Sequence, residues 1–221
     1  MNAAPRMPLI PPALQAMAGF NPQQLRPGFE HVNRYWDPHL NLVAVKILPG
    51  EYYVTCQGEL IVTVLGSCVA ACVRDRETGI GGMNHFMLPE SKGEAGGWSE
   101  AGTRATRYGS DAMEHLINEV LKAGGQRERF EIKIFGGARV FSDVGQQNIE
   151  FVRHYIKTEA LQLTAEDLGG EFPRHVRYLP KTGKVHQRKL RNLHNSTIAD
   201  RERGYQDKLR QDPIRGEIEL F

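Results

Sequence analysis

The chain has 221 residues, 40% hydrophobic, 24% charged and 8% aromatic, with a formal net charge of +2, the profile of a globular protein with one sizeable core. No stretch approaches the roughly 18 uninterrupted apolar residues of a membrane span, so no membrane insertion is expected. Three cysteines are too few and odd in number for a disulfide scaffold, which points to the cytoplasm, and the small net charge leaves no nucleic-acid footprint.

Residues 1–40 read as a disordered leader. Six of the twelve prolines lie within the first 28 residues and interrupt any helical signal-like segment. Short β-rich segments then follow at Val43–Ile47 and Tyr52–Thr55, separated by Pro49-Gly50, and at Glu59–Leu65 with its run Ile61, Val62, Thr63, Val64. Gly66-Ser67-Cys68 makes a turn into Val69–Arg74. The polar segment Asp75–Gly79 leads to Ile80–Leu88. A helix is predicted over Thr103–Ala123, with Tyr108, Ala112, Met113, Leu116, Ile117, Val120 and Leu121 on one face and Gly124-Gly125 as its stop. Phe130–Phe135 reads as a strand, Gln146–Thr158 as a helix burying Ile149, Val152 and Ile156, and Leu161–Ala165, His175–Leu179 and Lys184–Leu190 as late strands. Together these predict a layered α/β (α+β) fold with mixed sheets and flanking helices, and a catalytic domain over 41–195. Residues 181–221 hold ten Lys/Arg against six Asp/Glu, so 196–221 reads as a polar, basic tail, solvated or serving as a docking arm, with a short helix around Arg201–Arg210.

The densest chemistry lies in Thr63–Cys68 and in Gly81-Gly82-Met83-Asn84-His85. A thiol is weakly ionised at neutral pH and needs a base beside it to act as a nucleophile. Suppose Val69–Arg74 and Ile80–Leu88 form an antiparallel hairpin. A two-residue loop (Glu77-Thr78) and a four-residue loop (Arg76–Gly79) give the same pairing, with partner numbers summing to 155. Cys68 then faces Met87, and His85 is its diagonal neighbour on the same face, with Cα atoms about 7–8 Å apart. A three- or five-residue loop would put the two side chains on opposite faces. The turn's glycine, Gly66, lets the backbone N–H groups near Ser67 and Cys68 form an oxyanion hole, and Gly81 and Gly82 leave room for a substrate.

Two other chemistries compete for these residues. Cys56, Cys68, Cys72 and His85 could make a Cys₃His zinc centre, but Cys68 and Cys72 stand about 13 Å apart on an extended strand, so no metal is expected. Gly136-Gly137-Ala138-Arg139 follows a strand as a phosphate loop would, yet lacks the Gly-Lys-Ser/Thr ending. A tight turn is the better reading.

Four segments carry a family resemblance: LGSCVAACVRD at 65–75, GIGGMNHFMLP at 79–89, RYGSDAMEHLINEVLKAGG at 107–125 and FGGARVF at 135–141. In order and spacing they resemble the CheD family of chemoreceptor glutamine deamidases. The resemblance implies a sandwich similar to the catalytic domain of cytotoxic necrotising factor, and conversion of glutamine to glutamate on methyl-accepting chemotaxis receptors without a cofactor. By motif position it makes Cys68 the nucleophile, His85 the general base and Thr63 the third member. Relatives in some bacteria also bind a CheC-type phosphatase, a partner that these residues do not themselves specify. A non-catalytic adaptor that binds receptors or such a phosphatase is the alternative function.

Overall fold

The computed structural model describes residues 27–89, 104–140, 144–191 and 196–211. Among these described residues, ten strands form two five-stranded sheets. The first runs in the order β1 (Asn33–Asp37), β2 (Leu42–Lys46), β4 (Leu60–Leu65), β9 (Arg174–Leu179), β10 (Lys184–Lys189). The second runs β3 (Tyr52–Thr55), β6 (Gly81–Asn84), β5 (Val69–Asp75), β7 (Phe130–Gly136), β8 (Leu163–Leu168). Both are mixed: β2 with β4 and β7 with β8 are parallel, the other pairs antiparallel. Helix α1 (Arg104–Lys122) packs on β6, β5 and β3, and α2 (Val144–Thr158) on β5. This is a layered α+β fold, and none of its described helices is long and apolar enough to cross a membrane.

Side-chain alternation along β4 decides what the sheets share. Ile61 and Leu65 belong to the main core, whereas Leu60 and Val62 form a small cluster with Ala44 on the other face. Thr63 therefore points inward with Ile61 and Leu65. Central strand β5 is buried along nearly its whole length, because one face meets the first sheet and the other meets the helices. Cys72 illustrates the first contact, lying close enough to Tyr178 of β9 to act on it electrostatically.

The β5–β6 hairpin has the expected register. Cys72 pairs with Met83, Val73 with Gly82 and Arg74 with Gly81, and an isolated bridge joins Val69 to Phe86. Its four-residue loop is set locally: Asp75 Oδ1 accepts the N–H groups of Glu77 and Thr78, and Gly79 closes the turn at φ +73°.

Both ends of the expected catalytic domain need correction. The leader does not extend to residue 40, because β1 pairs with β2 from Asn33 to Asp37 and Phe29 and Val32 are buried in the core. Nor is the segment after 195 a solvated tail throughout. Residues Ser196–Gln211 form helix α3, which buries Ile198, Glu202, Gln206 and Leu209 against the rest of the molecule. The proline-rich residues 1–26 and the final patch Ile218, Leu220, Phe221 lie outside the described residues. On α1 the buried stripe is Ala105, Gly109, Met113, Leu116, Ile117 and Val120; Leu121, expected on that face, is exposed.

Candidate active site

The turn between β4 and β5 is held rigidly by its carbonyl groups. The Gly66 carbonyl accepts the Ala138 N–H, and the Cys68 carbonyl accepts the Gly137 N–H, each at 2.8 Å. The Ser67 carbonyl accepts Asn148 Nδ2 at 2.8 Å, while Asn148 Oδ1 accepts the Leu88 N–H. Gly136 must be glycine here: its φ is +116°, and a Cβ would overlap the Cys68 carbonyl oxygen. Buried Arg174 braces the loop from below by donating to the Gly136 carbonyl at 3.1 Å. With all three carbonyls turned away, the N–H groups of Gly66, Ser67 and Cys68 face one small site, those of Gly66 and Cys68 toward one acceptor oxygen and that of Ser67 toward a second. A carboxylate occupies that site. Glu202 of α3 accepts the Gly66 N–H at 2.8 Å, the Ser67 N–H at 2.8 Å, the Ser67 hydroxyl at 2.7 Å and the Cys68 N–H at 3.4 Å.

His85 follows β6, its backbone fixed by bonds to Gly50 and Glu51. Its Nδ1 lies 2.8 Å from Thr63 Oγ1, and Thr63 Oγ1 also bonds the Ile47 carbonyl at 2.9 Å. A carbonyl can only accept, so the single Thr63 proton goes to Ile47, and Nδ1–H of His85 donates to Oγ1. This choice satisfies all three groups and leaves Nε2 as the unprotonated ring nitrogen. Nε2 is buried and has no protein partner. A His85 ring nitrogen, the Cys68 sulfur and a Glu202 carboxylate oxygen lie within 4.8 Å of one another. The arrangement is that of a nucleophile, a base and a group orienting the base.

Electrostatically this form of the site is silent. Burial, and then the charge of Glu202, push the Cys68 thiol well above its ordinary range. Burial, and then the charge of Arg201, hold the His85 imidazole down to about 3. Both groups are neutral at physiological pH.

Among the described residues, the one cluster of three with metal-ligand chemistry is Cys68, His85 and Glu202. It is not the set weighed from sequence, since Cys56 is exposed and outside it and Cys72 is buried elsewhere on β5. Both Glu202 oxygens are already accepting N–H or O–H bonds from the turn. That donor set suits an oxyanion better than a cation.

Thr63, Gly66, Ser67, Cys68 and His85 thus meet at one place. Gly81 and Gly82 do not join them. A Cβ on Gly81 would collide with the Val73 carbonyl and Arg74, and one on Gly82 would collide with the Tyr53 carbonyl and Leu116. These glycines let β6 pass between its neighbours and α1 and leave no space for a substrate. Sequence reading missed two side chains, Asn148 and Glu202. Asn148 is a buried amide beside the apolar stripe of α2, a signal that was available. Glu202 lies more than 130 residues from the turn in a polar segment and gave no such signal.

The chain is also similar to known proteins. Residues 87–189 match the family model described as CheD chemotactic sensory transduction. A protein of Halorhodospira halophila is 52% identical over 199 residues, 88% of this chain and 92% of the relative. The chain belongs to the CheD family. A CheD protein of Hahella chejuensis is 48% identical over the full length of both chains, and one from a Janthinobacterium species is 50% identical over 86% of this chain and 94% of its own. All three CheD relatives are named probable chemoreceptor glutamine deamidase.

Proposed function

We propose that this chain hydrolyses the side-chain amide of glutamine residues on methyl-accepting chemotaxis receptors, giving glutamate and ammonia. The observation that carries the reading is the line from Ile47 through Thr63 and His85 to Cys68, facing a turn whose N–H groups already hold a carboxylate.

The steps follow from the atoms present. Nε2 of His85 takes the Cys68 proton as sulfur attacks the amide carbon, while Thr63 keeps the imidazole in the required tautomer. The oxygen of the tetrahedral adduct takes the place of the Glu202 carboxylate and receives the N–H groups of Gly66, Ser67 and Cys68. The proton on His85 passes to the departing nitrogen, which leaves as ammonia, and a thioester remains on Cys68. Water, deprotonated by Nε2, then attacks the thioester carbon. Glutamate is released and the thiol recovers its proton. Gly66 admits the substrate oxygen, since a Cβ there would stand 2.7 Å from Glu202 Oε2.

Each turnover replaces a neutral amide with a negative charge, which alters electrostatic packing in the modified receptor segment. Receptor segments open to such an enzyme lie in the cytoplasm, which is where we place this chain. The test is incubation with a receptor cytoplasmic fragment: the activity adds about 1 Da per converted glutamine and releases one ammonia for each. A non-catalytic adaptor would bind the fragment and leave its mass unchanged.

A further inference from the structure

Helix α3 is built poorly for permanent burial and well for holding one side chain. Its docked face is Ile198, Glu202, Gln206 and Leu209, at helical spacing. Two of these four are polar. Both side-chain polar atoms of Gln206 are buried without a hydrogen bond, as is Nε of Arg201. Each such group opposes docking; Ile198 and Leu209, with the half-buried Tyr205, supply the apolar burial, and Arg201 and Tyr205 add polar ties to the Val64 carbonyl and Tyr108. Glu202, by contrast, is received by four donors on the turn. A carboxylate on the donors of an acyl-transfer turn, beside the thiol and carried by a helix, has the form of a product: the glutamate left after a helix-borne glutamine has lost its amide nitrogen.

We propose that α3 is an intramolecular product mimic that closes the active site, and that a substrate helix presents its glutamine by taking the place of α3 on the Gly66–Cys68 turn. This inference rests on the proposed deamidase reading. The surroundings fit a helix-sized substrate. A cavity of about 500 Å³ has His85 on its wall, Tyr108 and Asp111 of α1 on one side, and Tyr205 and Lys208 of α3 on the other. Departure of α3 would merge that cavity with its own footprint into one groove along α1. The closed form is also chemically quiet, because Glu202 brings a negative charge to the buried thiol. Binding of substrate is then weakened by the fraction of molecules that are closed, and anything that releases α3 restores it.

The experiment uses the full chain and reads Cys68 by alkylation with iodoacetamide, which needs no receptor. Glu202→Ala removes the mimic. Gly204→Pro breaks α3 at an exposed position with open space around it, removing a helix hydrogen bond without touching the turn. Both variants should label Cys68 at least about tenfold faster than the parent, with Cys72 unlabelled, and both should need less receptor fragment for half-maximal deamidation. In Glu202→Gln the helix delivers an amide to the thiol. The side chain at position 202 should be converted, with a gain of about 1 Da in the chain itself that disappears when Cys68→Ala is added. Labelling no faster than the parent in either opened variant overturns the proposal, whether or not receptors are deamidated. Faster labelling with every receptor glutamine left intact upholds closure by α3 and overturns the deamidase reading.

Discussion

Thr63→Val isolates the positioning of the base from everything else in the site. Valine has nearly the same shape as threonine, so the inward face of β4 stays packed, but two bonds disappear. The Nδ1–H of His85 loses its acceptor at 2.8 Å and the Ile47 carbonyl loses its donor at 2.9 Å. A buried donor without an acceptor costs about 1–3 kcal/mol. The imidazole can escape that cost by moving its proton to Nε2, which abolishes the lone pair facing Cys68. Either way the reactive tautomer becomes the minor one, and the maximal rate should fall by about 10–100-fold. Thr63 does not touch the substrate, so the concentration needed for half-maximal rate should stay close to the parent value. Thr63→Ser keeps the hydroxyl and should recover most of the rate. Ammonia release from a receptor fragment measures both constants, and nitrogen NMR of the histidine ring should show Nδ1–H in the parent and a mixture in Thr63→Val. Full rate in Thr63→Val, or a loss confined to substrate affinity, would refute the role given to this hydroxyl.

Other outcomes follow from the same geometry. Cys56→Ser and Cys72→Ser should keep deamidation within about tenfold of the parent, since Cys56 is exposed and Cys72 is a buried thiol that burial pushes up out of reactivity; total loss with stoichiometric bound zinc would revive the metal reading. Asn148→Ala should cost about 1–3 kcal/mol of stability in urea unfolding, because it leaves the Ser67 carbonyl and the Leu88 N–H unmet, and it should also lower the maximal rate by loosening the turn. His85 makes stability depend on pH. Its pKa is lowered from 6.5 to about 3 by folding, so below 6.5 the unfolded chain binds a proton that the folded chain refuses. Its contribution to stability is therefore lost as pH falls from 6.5 toward about 3, with a slope of about 1.4 kcal/mol per pH unit. His85→Gln should flatten the dependence of urea midpoints on pH in that window by about one proton.

How much of this was legible in the sequence depended on how local the information was. The hairpin that brings His85 to Cys68 follows from the turn between Asp75 and Ile80, whose capping by Asp75 is contained within five residues. The face of Thr63 was left open by the sequence, where the residue entered only through the family motif; the structure sets it inward beside Ile61 and Leu65. Strand β1 escaped because its segment, Asn-Arg-Tyr-Trp-Asp, has mixed polarity and lies at a sheet edge where no side chain is fully buried. Gly81 and Gly82 were misread because a glycine beside a catalytic residue suggests space, whereas here that space is filled by β3, β5 and α1. The role of Gly137-Ala138, reduced to a tight turn in sequence, is to hold the Gly66 and Cys68 carbonyls. Helix α3 gave the least warning. Its docked face carries a carboxylate and an amide where an apolar stripe would have announced burial, and its target is a set of backbone N–H groups that leave no trace in sequence.

The assignment of Cys68 as nucleophile and His85 as its base is tested most directly by the mass of a receptor cytoplasmic fragment after incubation with the parent, Cys68→Ala and His85→Ala chains. The parent should add about 1 Da at each susceptible glutamine, Cys68→Ala should add nothing, and His85→Ala should be slower by at least about 10²–10⁴-fold. Glutamine conversion by folded Cys68→Ala at the parent's rate would contradict the assignment.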